Sequence, residues 1–483
     1  MSIPSHFPSQ PSSVWSYFYA ITQLPRPSKQ EGKFRDFILS EAGKLDLKTY
    51  VDEVGNVIVY VPASPGRETH ETVIIQNHMD MVTDATPDRN INFALDPIIT
   101  FRDGDWIKAD RTTLGADNGI GCAAALALMN DSTIHHPPLE LLFTIDEETG
   151  LKGAWGVDAT KLKGKKMLNL DTEDWGCLYI GCAGGIDYEF SKKIRMTQSQ
   201  IKGTPYKLTV GGFLGGHSGV DIQEQRGNAI KFLMDWILSL PDGSYEIIEW
   251  RGGKAHNIIP RDAFAVVKLT NPDLALEASE KVEKRWKAFM PKNDQDFFTK
   301  LETVDHASDE VILPSDLQCV LNFLVAFPHG AHAYDLASHR ELVSLSNNLA
   351  ISLVVRGQFY LQSSLRFFDR EECVGLENQI TSLAKGFGID FTKNGEYPSW
   401  KPVRENRLLD LISDKYMELF NLKAKVTAIH AGLECGILRD KIGPIDVVSF
   451  GPTILGAHSP QERVHIPSVE TFWTLLKDVL KSL

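Results

Sequence analysis

Three short apolar runs in the first 180 residues end abruptly in acidic or imidazole side chains, and this pattern constrains the fold more than any other feature. They are Thr72-Val-Ile-Ile-Gln-Asn-His78-Met-Asp80, Phe143-Thr-Ile-Asp146-Glu147-Glu148 and Leu168-Asn-Leu-Asp171. A short continuous apolar run bounded by polar groups reads as a strand buried on both faces. Val57 to Val61, Thr72 to Gln76 and Leu139 to Ile145 are therefore predicted strands. Gly119 to Met129, small and Ala-rich with Gly115 and Asp117 just ahead of it, predicts a helix packed close to their sheet. Strands alternating with helices give an α/β layer architecture.

At 483 residues the chain exceeds the roughly 250 to 300 at which a single core stops growing, so two domains are expected. The texture changes near Ile186. Alternating segments (Tyr206 to Val210, Ala263 to Leu269, Leu349 to Val355) are interspersed with helix-like stretches at Asn228 to Leu240, Leu274 to Ala288, Leu317 to Ala326 and Val374 to Phe387. Turn residues cluster at Tyr397-Pro-Ser-Trp-Lys-Pro402, after which a helix (Leu408 to Phe420) and a strand (Val447 to Phe450) resume the first texture. The expectation is a discontinuous catalytic domain, 1–185 with 397–483, interrupted by an α+β insertion over 186–396.

A formal charge of −13 with no long Lys/Arg run argues against a nucleic-acid partner. No apolar run reaches about 18 residues, and Met1 to Gln10 lacks a secretory pattern, so neither membrane insertion nor export is expected. Six cysteines without paired spacing read as free thiols of a cytoplasmic protein.

On an extended chain His78 and Asp80 face the same side, so one can bind a metal while the other orients its ring; a bland surface pair is the competing reading. Asp117, between glycines, suits a helix cap or a carboxylate bridging two cations. Asp146, Glu147 and Glu148 crowd like charges at the end of an apolar run, a solvated turn unless a cation neutralises them. Two adjacent carboxylates also allow one ligand and one general base. Asp171 ends the third run, and His458 lies in the Gly/Pro-rich loop Gly456-Ala-His458-Ser-Pro-Gln-Glu462. Such N and O donors suit an open zinc site.

Further segments repeat a known order: Pro25-Arg-Pro-Ser28, Gly215-Gly-His217-Ser-Gly219, His256-Asn257-Ile-Ile-Pro260, the Tyr397 to Pro402 turn, His430-Ala-Gly-Leu-Glu434-Cys-Gly436 and Ala457-His458-Ser-Pro460. With the strand-end motifs, they make the chain resemble the M20 family of metallopeptidases, in particular its aminoacyl-histidine dipeptidase (cytosol non-specific dipeptidase) branch, over nearly its whole length. The resemblance implies a zinc-peptidase-like α/β catalytic domain with an inserted lid through which subunits form a homodimer. It also implies two Zn2+ per subunit, with Mn2+ or Co2+ as substitutes. Asp117 would bridge them, His78 and Asp171 would complete one site, and Glu148 and His458 the other. Asp80 would orient His78, Glu147 would be the general base, and the Asp117 to Asn118 peptide would be cis. His217 would polarise the scissile carbonyl of a dipeptide, Xaa-His or of broad type, attacked by a zinc-bridged hydroxide. Asn257, Arg366 and Glu434 would contact the substrate: Arg366 its carboxylate, Glu434 its amine. The resemblance would place a serine after Arg366; this chain has Phe367.

Two other functions use the same residues. An amidohydrolase that removes an acyl group from an amino acid needs the same metal core. A metal-binding scaffold without catalysis would not need Glu147, which in this reading binds no metal.

Overall fold

The computed structural model describes residues 3–305, 307–335 and 342–483. The chain forms two compact units. The first comprises Met1–Gly181, Pro402–Ala428 and Leu433–Leu483; the second comprises Cys182–Lys401 with Ile429–Gly432. Sequence texture does not foretell that four-residue return to the second unit.

The first unit is built on an eight-stranded sheet, in the order Lys48–Val51, Val57–Val61, Leu139–Thr144, Val73–His78, Lys166–Asn169, Asp446–Ser449, Cys177–Cys182, Lys425–Ile429. Its four central strands, Leu139–Thr144 through Asp446–Ser449, run parallel. Every residue of Val73–His78 and Leu139–Thr144 is buried, as expected where helices cover both faces of a parallel sheet. In this register His78 lies beside Thr144 and Gln76 beside Asn169. The three apolar runs thus end at one edge, where open α/β sheets place their sites.

The predicted helix is longer than expected at its start, spanning Ala116–Asn130, with non-helical dihedrals at Asp117 and Asn118. The peptide between those two residues is cis. The regular part begins at Gly119 and packs against helix Ser12–Thr22. Its small residues permit close approach to the sheet: a Cβ on Gly121 would lie 2.2 Å from Asn77 Oδ1. A separate four-stranded sheet, Ile454–Leu455, Arg463–His465, Trp106–Ala109 and Thr100–Asp103, carries residues 456–462 between its first two strands.

The second unit is a nine-stranded antiparallel sheet that shares one core with helices Ala229–Leu238, Pro272–Lys287, Pro314–Ala326 and Arg370–Gly386. Phe232, Trp236, Trp286 and Phe323 from the helices meet Trp250, Leu349 and Leu361 from the strands. The helix starts follow local chemistry, with Asn228, Asn271 and Asp369 accepting first-turn N–H groups and Pro272 and Pro314 in the opening turn. The long strands Gly184–Lys193 and Gln358–Phe367 pair with each other across more than 160 residues, which is why periodicity alone does not reveal them.

Candidate metal centre and active site

Five elements of the first unit deliver the predicted ligands. His78 ends its strand; Glu147 and Glu148 follow Leu139–Thr144 through a turn in which Asp146 has φ 48°; Asp171 lies two residues past Lys166–Asn169. Asp117 sits in the irregular first turn of its helix, and His458, at φ 62°, in the loop between the short strands.

These residues converge in two triads that share Asp117. His78 Nε2 lies 3.0 Å from Asp117 Oδ1 and 3.1 Å from Asp171 Oδ1, while His458 Nε2 lies 3.1 Å from both Asp117 Oδ2 and Glu148 Oε2. Each oxygen of the Asp117 carboxylate therefore faces a different imidazole. Within each triad the donor atoms lie within 4.8 Å of one another, a span one cation can bind. His78, Glu147 and Glu148 meet the same criterion, so geometry by itself leaves Glu147 close enough to serve as either ligand or base. Asp80 stands behind the centre: Oδ1 is 3.4 Å from His78 Nδ1 and accepts from the Glu147 backbone N–H at 3.0 Å, and Oδ2 accepts from Glu148 N and Ser28 Oγ.

Burial alone would lower the His78 imidazole, yet the Asp171 and Asp117 carboxylates hold it well above its ordinary value. His458 is likewise pushed up to about 12 against the effect of burial, by Asp117 and Glu148. Burial raises Asp171 to about 6, and burial with the adjacent Glu148 charge pushes Glu147 well above the carboxylate range. The clustered carboxylates thus favour positive charge at both imidazoles. A divalent cation in each triad would supply it instead and take the imidazole lone pair. Glu148 Oε1 is buried without a hydrogen-bond partner among the described residues. One nitrogen and two oxygens per triad, one oxygen from a shared carboxylate, fit a pair of divalent cations.

The remaining candidates divide between the units. In the second, His217 and Asn257 are neighbours: Ser218 N donates to Asn257 O at 2.8 Å, and His217 bridges to Ile258. His217 Nδ1 accepts the backbone N–H groups of Gly219 and Val220, at 3.3 and 3.2 Å, which leaves the ring proton on Nε2. Arg366 is 5% exposed and donates to the Tyr397 hydroxyl at 3.1 Å, and Phe367 is part of the core. His430 is buried against Ser346 and held neutral near pKa 3 by burial and the Arg366 charge. Glu434, in the first unit, is fully buried. Its Oε2 accepts from Gln76 Nε2 at 2.6 Å and Thr144 Oγ1 at 2.5 Å, and burial pushes it up to about 8.

Two buried charges at this centre are not among the residues that sequence motifs single out for chemistry. Arg26 donates to the carbonyls of Met79 (2.9 Å), Asp80 (2.6 Å) and Gly115. Glu462 receives four backbone N–H groups, from Leu114 to Asp117. Their partners are peptide groups, which leave no trace in side-chain patterns; the only signals are the position of Arg26 in Pro25-Arg-Pro-Ser28 and of Glu462 four residues after His458.

The sequence pattern of peptidase family M20/M25/M40 matches residues 74–482. The Escherichia coli (strain K12) cytosol non-specific dipeptidase is 34% identical over 480 residues, 98% of each chain. The crystal structure of an aminoacylhistidine dipeptidase from Vibrio alginolyticus aligns with TM-score 0.83 and 35% identity, covering 100% of this chain and 98% of that one. Aminopeptidase PepT from Bacillus cereus, at 15% identity and TM-score 0.55 over 97% and 98% of the two chains, shares the fold. This chain belongs to peptidase family M20/M25/M40 and is a hydrolase of peptide bonds.

Proposed function

We propose that the chain is a cytosolic di-zinc dipeptidase, of Xaa-His or broad specificity, in which Glu147 moves the proton during hydrolysis. The observation that carries this reading is the division of Asp117: Oδ1 faces His78 and Oδ2 faces His458. A carboxylate so placed suits two ions at once, with His78 and Asp171 on one and Glu148 and His458 on the other. Two imidazoles among carboxylates favour zinc and accommodate Mn2+ or Co2+. The dipeptide substrate is supported by the names of the E. coli and V. alginolyticus relatives, and the cytosolic setting by the name of the E. coli one. Among the described residues no helix is long and apolar enough to cross a membrane.

Divalent metal held by these residues would supply Lewis acidity, lowering the pKa of a bound water toward about 7 and polarising the scissile carbonyl. Glu147 is the proposed base. Its carboxylate makes no hydrogen bond among the described residues, and its backbone is pinned by Asp80, so it is positioned yet free to accept a proton. The same group returns that proton to the leaving amine, which must depart neutral. Asp80 keeps His78 in one orientation. From the second unit, His217 is the proposed oxyanion donor through its Nε2–H, Arg366 the partner of the substrate carboxylate, and Asn257 a further contact. Glu434 is retained from the sequence resemblance as a candidate for the substrate amine, although its Oε2 is already engaged. Dimerisation through the second unit rests on the same resemblance.

The test is a panel of free-amine dipeptides and N-acetyl amino acids, assayed with metal-stripped and zinc-restored protein. Turnover of dipeptides only after zinc restoration is the expected result. Hydrolysis confined to N-acetyl amino acids, or undiminished without metal, would overturn the proposal.

A further inference from the structure

We infer that Glu462 is a positioning residue for the metal centre, clamping the backbone that presents Asp117 and tying it to the loop that presents His458. The inference rests on the proposed metal site and goes beyond the ligands themselves.

Glu462 is 2% exposed, and both its carboxylate oxygens are used twice. Oε2 accepts from Leu114 N at 2.6 Å and Gly115 N at 3.0 Å; Oε1 accepts from Ala116 N at 2.7 Å and Asp117 N at 3.3 Å. Helix N-termini leave their first N–H groups without intrahelical partners, and a preceding side chain ordinarily caps them. Here the residue at the cap position is Gly115, with φ 69°, which has no side chain to offer. The cap comes instead from about 350 residues along the chain. Because a charged acceptor makes stronger hydrogen bonds than a neutral one, four convergent N–H donors fix these peptides firmly. The dihedrals at Asp117 and Asn118 depart from the helix, so regular helical bonding does not hold Asp117 by itself.

The clamp has a second side. Arg26, also 2% exposed, donates to the Gly115 carbonyl, so the Gly115 peptide is held by a carboxylate at its N–H and a guanidinium at its C=O. The same guanidinium holds the Met79 and Asp80 carbonyls just past His78.

Only three residues separate Glu462 from His458, and the turn between them is tight. Glu462 N donates to Ser459 O at 3.0 Å, and Ser459 Oγ donates to Gly456 O at 2.7 Å. Immediately after Glu462, strand Arg463–His465 pairs with Trp106–Ala109. Anchoring Glu462 therefore restricts where His458 can lie relative to Asp117 Oδ2. Residues that orient ligands in this way commonly contribute about 10- to 100-fold to metal affinity.

The experiment compares Glu462→Gln with a matched control, Glu140→Gln. Glu140 is also 2% exposed and also accepts backbone N–H groups, from Lys163 and Gly164 at 2.9 to 3.0 Å, but at the opposite end of strand Leu139–Thr144 from the turn that carries Glu148. The glutamine amide at 462 keeps one acceptor and turns a donor toward two N–H groups. Metal-free Glu462→Gln is expected to fold, by circular dichroism, and to lose about 10- to 100-fold in affinity for at least one of two zinc equivalents in chelator competition. Its Co2+-loaded d–d spectrum should shift, and kcat should fall more than KM changes. Glu140→Gln should lower the melting temperature and leave zinc affinity and the Co2+ spectrum as in the wild type. Wild-type affinities and spectrum in Glu462→Gln, or equal losses in Glu140→Gln, would overturn the inference. If Glu462→Gln does not fold, Glu462→Asp, charged but one methylene shorter, replaces it with the same readouts, and wild-type affinities and spectrum there overturn the inference equally. A wild-type chain that takes up no divalent metal overturns the proposed function and this inference with it. Two ions bound by the wild type and held equally well by Glu462→Gln overturn the inference alone.

Discussion

Asp80 accepts the backbone N–H of Glu147 at 3.0 Å through Oδ1, the oxygen that also lies 3.4 Å from His78 Nδ1. One buried carboxylate thus lies beside the imidazole of one proposed ligand and holds the backbone of the proposed base, while Oδ2 holds Glu148 N and Ser28 Oγ. Asp80→Ala should therefore weaken zinc binding about 10- to 100-fold, the size typical for a residue that orients a metal ligand, and reduce kcat as well. Chelator competition and steady-state kinetics on the folded variant check both. Wild-type values for both would remove Asp80 from the centre.

Glu147→Gln separates base from ligand. The amide preserves shape and loses only the proton acceptor, so turnover should vanish while two zinc equivalents remain bound, as counted by metal analysis after dialysis. Loss of one equivalent would mean that Glu147 is a ligand, which its place with His78 and Glu148 within 4.8 Å permits. The companion variant Asp117→Ala should lose both ions substantially, because without the shared carboxylate two divalent charges face each other across a short gap. Full zinc occupancy there would end the bridging assignment.

The sequence makes this centre legible where chemistry and local pattern coincide. His78, Glu147, Glu148 and Asp171 stand at the ends of buried apolar runs, and the parallel register of Leu139–Thr144, Val73–His78 and Lys166–Asn169 brings those ends to one edge. Asp117 and His458 are legible chiefly through family motifs, since an acid between glycines or a histidine in a loop is ambiguous alone. Glu462 and Arg26 escape because they bind peptide groups. In the second unit, Asn228 to Leu240 and Ala263 to Leu269 reveal themselves through local pattern. The pairing of Gly184–Lys193 with Gln358–Phe367 is set by tertiary packing.

Gly115 tests the clamp from the backbone side. At φ 69° a Cβ would lie 2.5 Å from Arg26 Nη2 and 2.8 Å from Met81 Sδ. Gly66, at φ 85°, meets nothing within 4 Å and measures the conformational cost alone. Gly66→Ala should cost about 1 to 2 kcal/mol, the usual difference for a left-handed residue. Gly115→Ala should cost clearly more in chemical denaturation of the metal-free protein, because two buried side chains must also move. Equal costs would show that Arg26 and Met81 yield freely and that the Gly115 peptide is not tightly held.

His217 accepts through Nδ1 from the backbone N–H groups of Gly219 and Val220. Two donors at Nδ1 fix the neutral tautomer with its proton on Nε2, so the ring is prepared to donate a hydrogen bond and not to take a proton. A group that meets charge developing on the carbonyl oxygen stabilises the transition state more than bound substrate. His217→Ala should accordingly bind zinc as the wild type does and lose kcat by about 100- to 1,000-fold, the effect of removing one oxyanion donor. KM should change far less. An unchanged kcat would mean that His217 serves the fold and not the reaction. Mixing this variant with Glu147→Gln then asks which chain supplies the histidine. With subunit exchange verified independently, recovered activity requires a composite site holding one intact Glu147 and one intact His217 from different chains. Absence of recovery in exchanged mixtures, with kcat of the single variant reduced as expected, assigns His217 to the chain whose metal centre it serves.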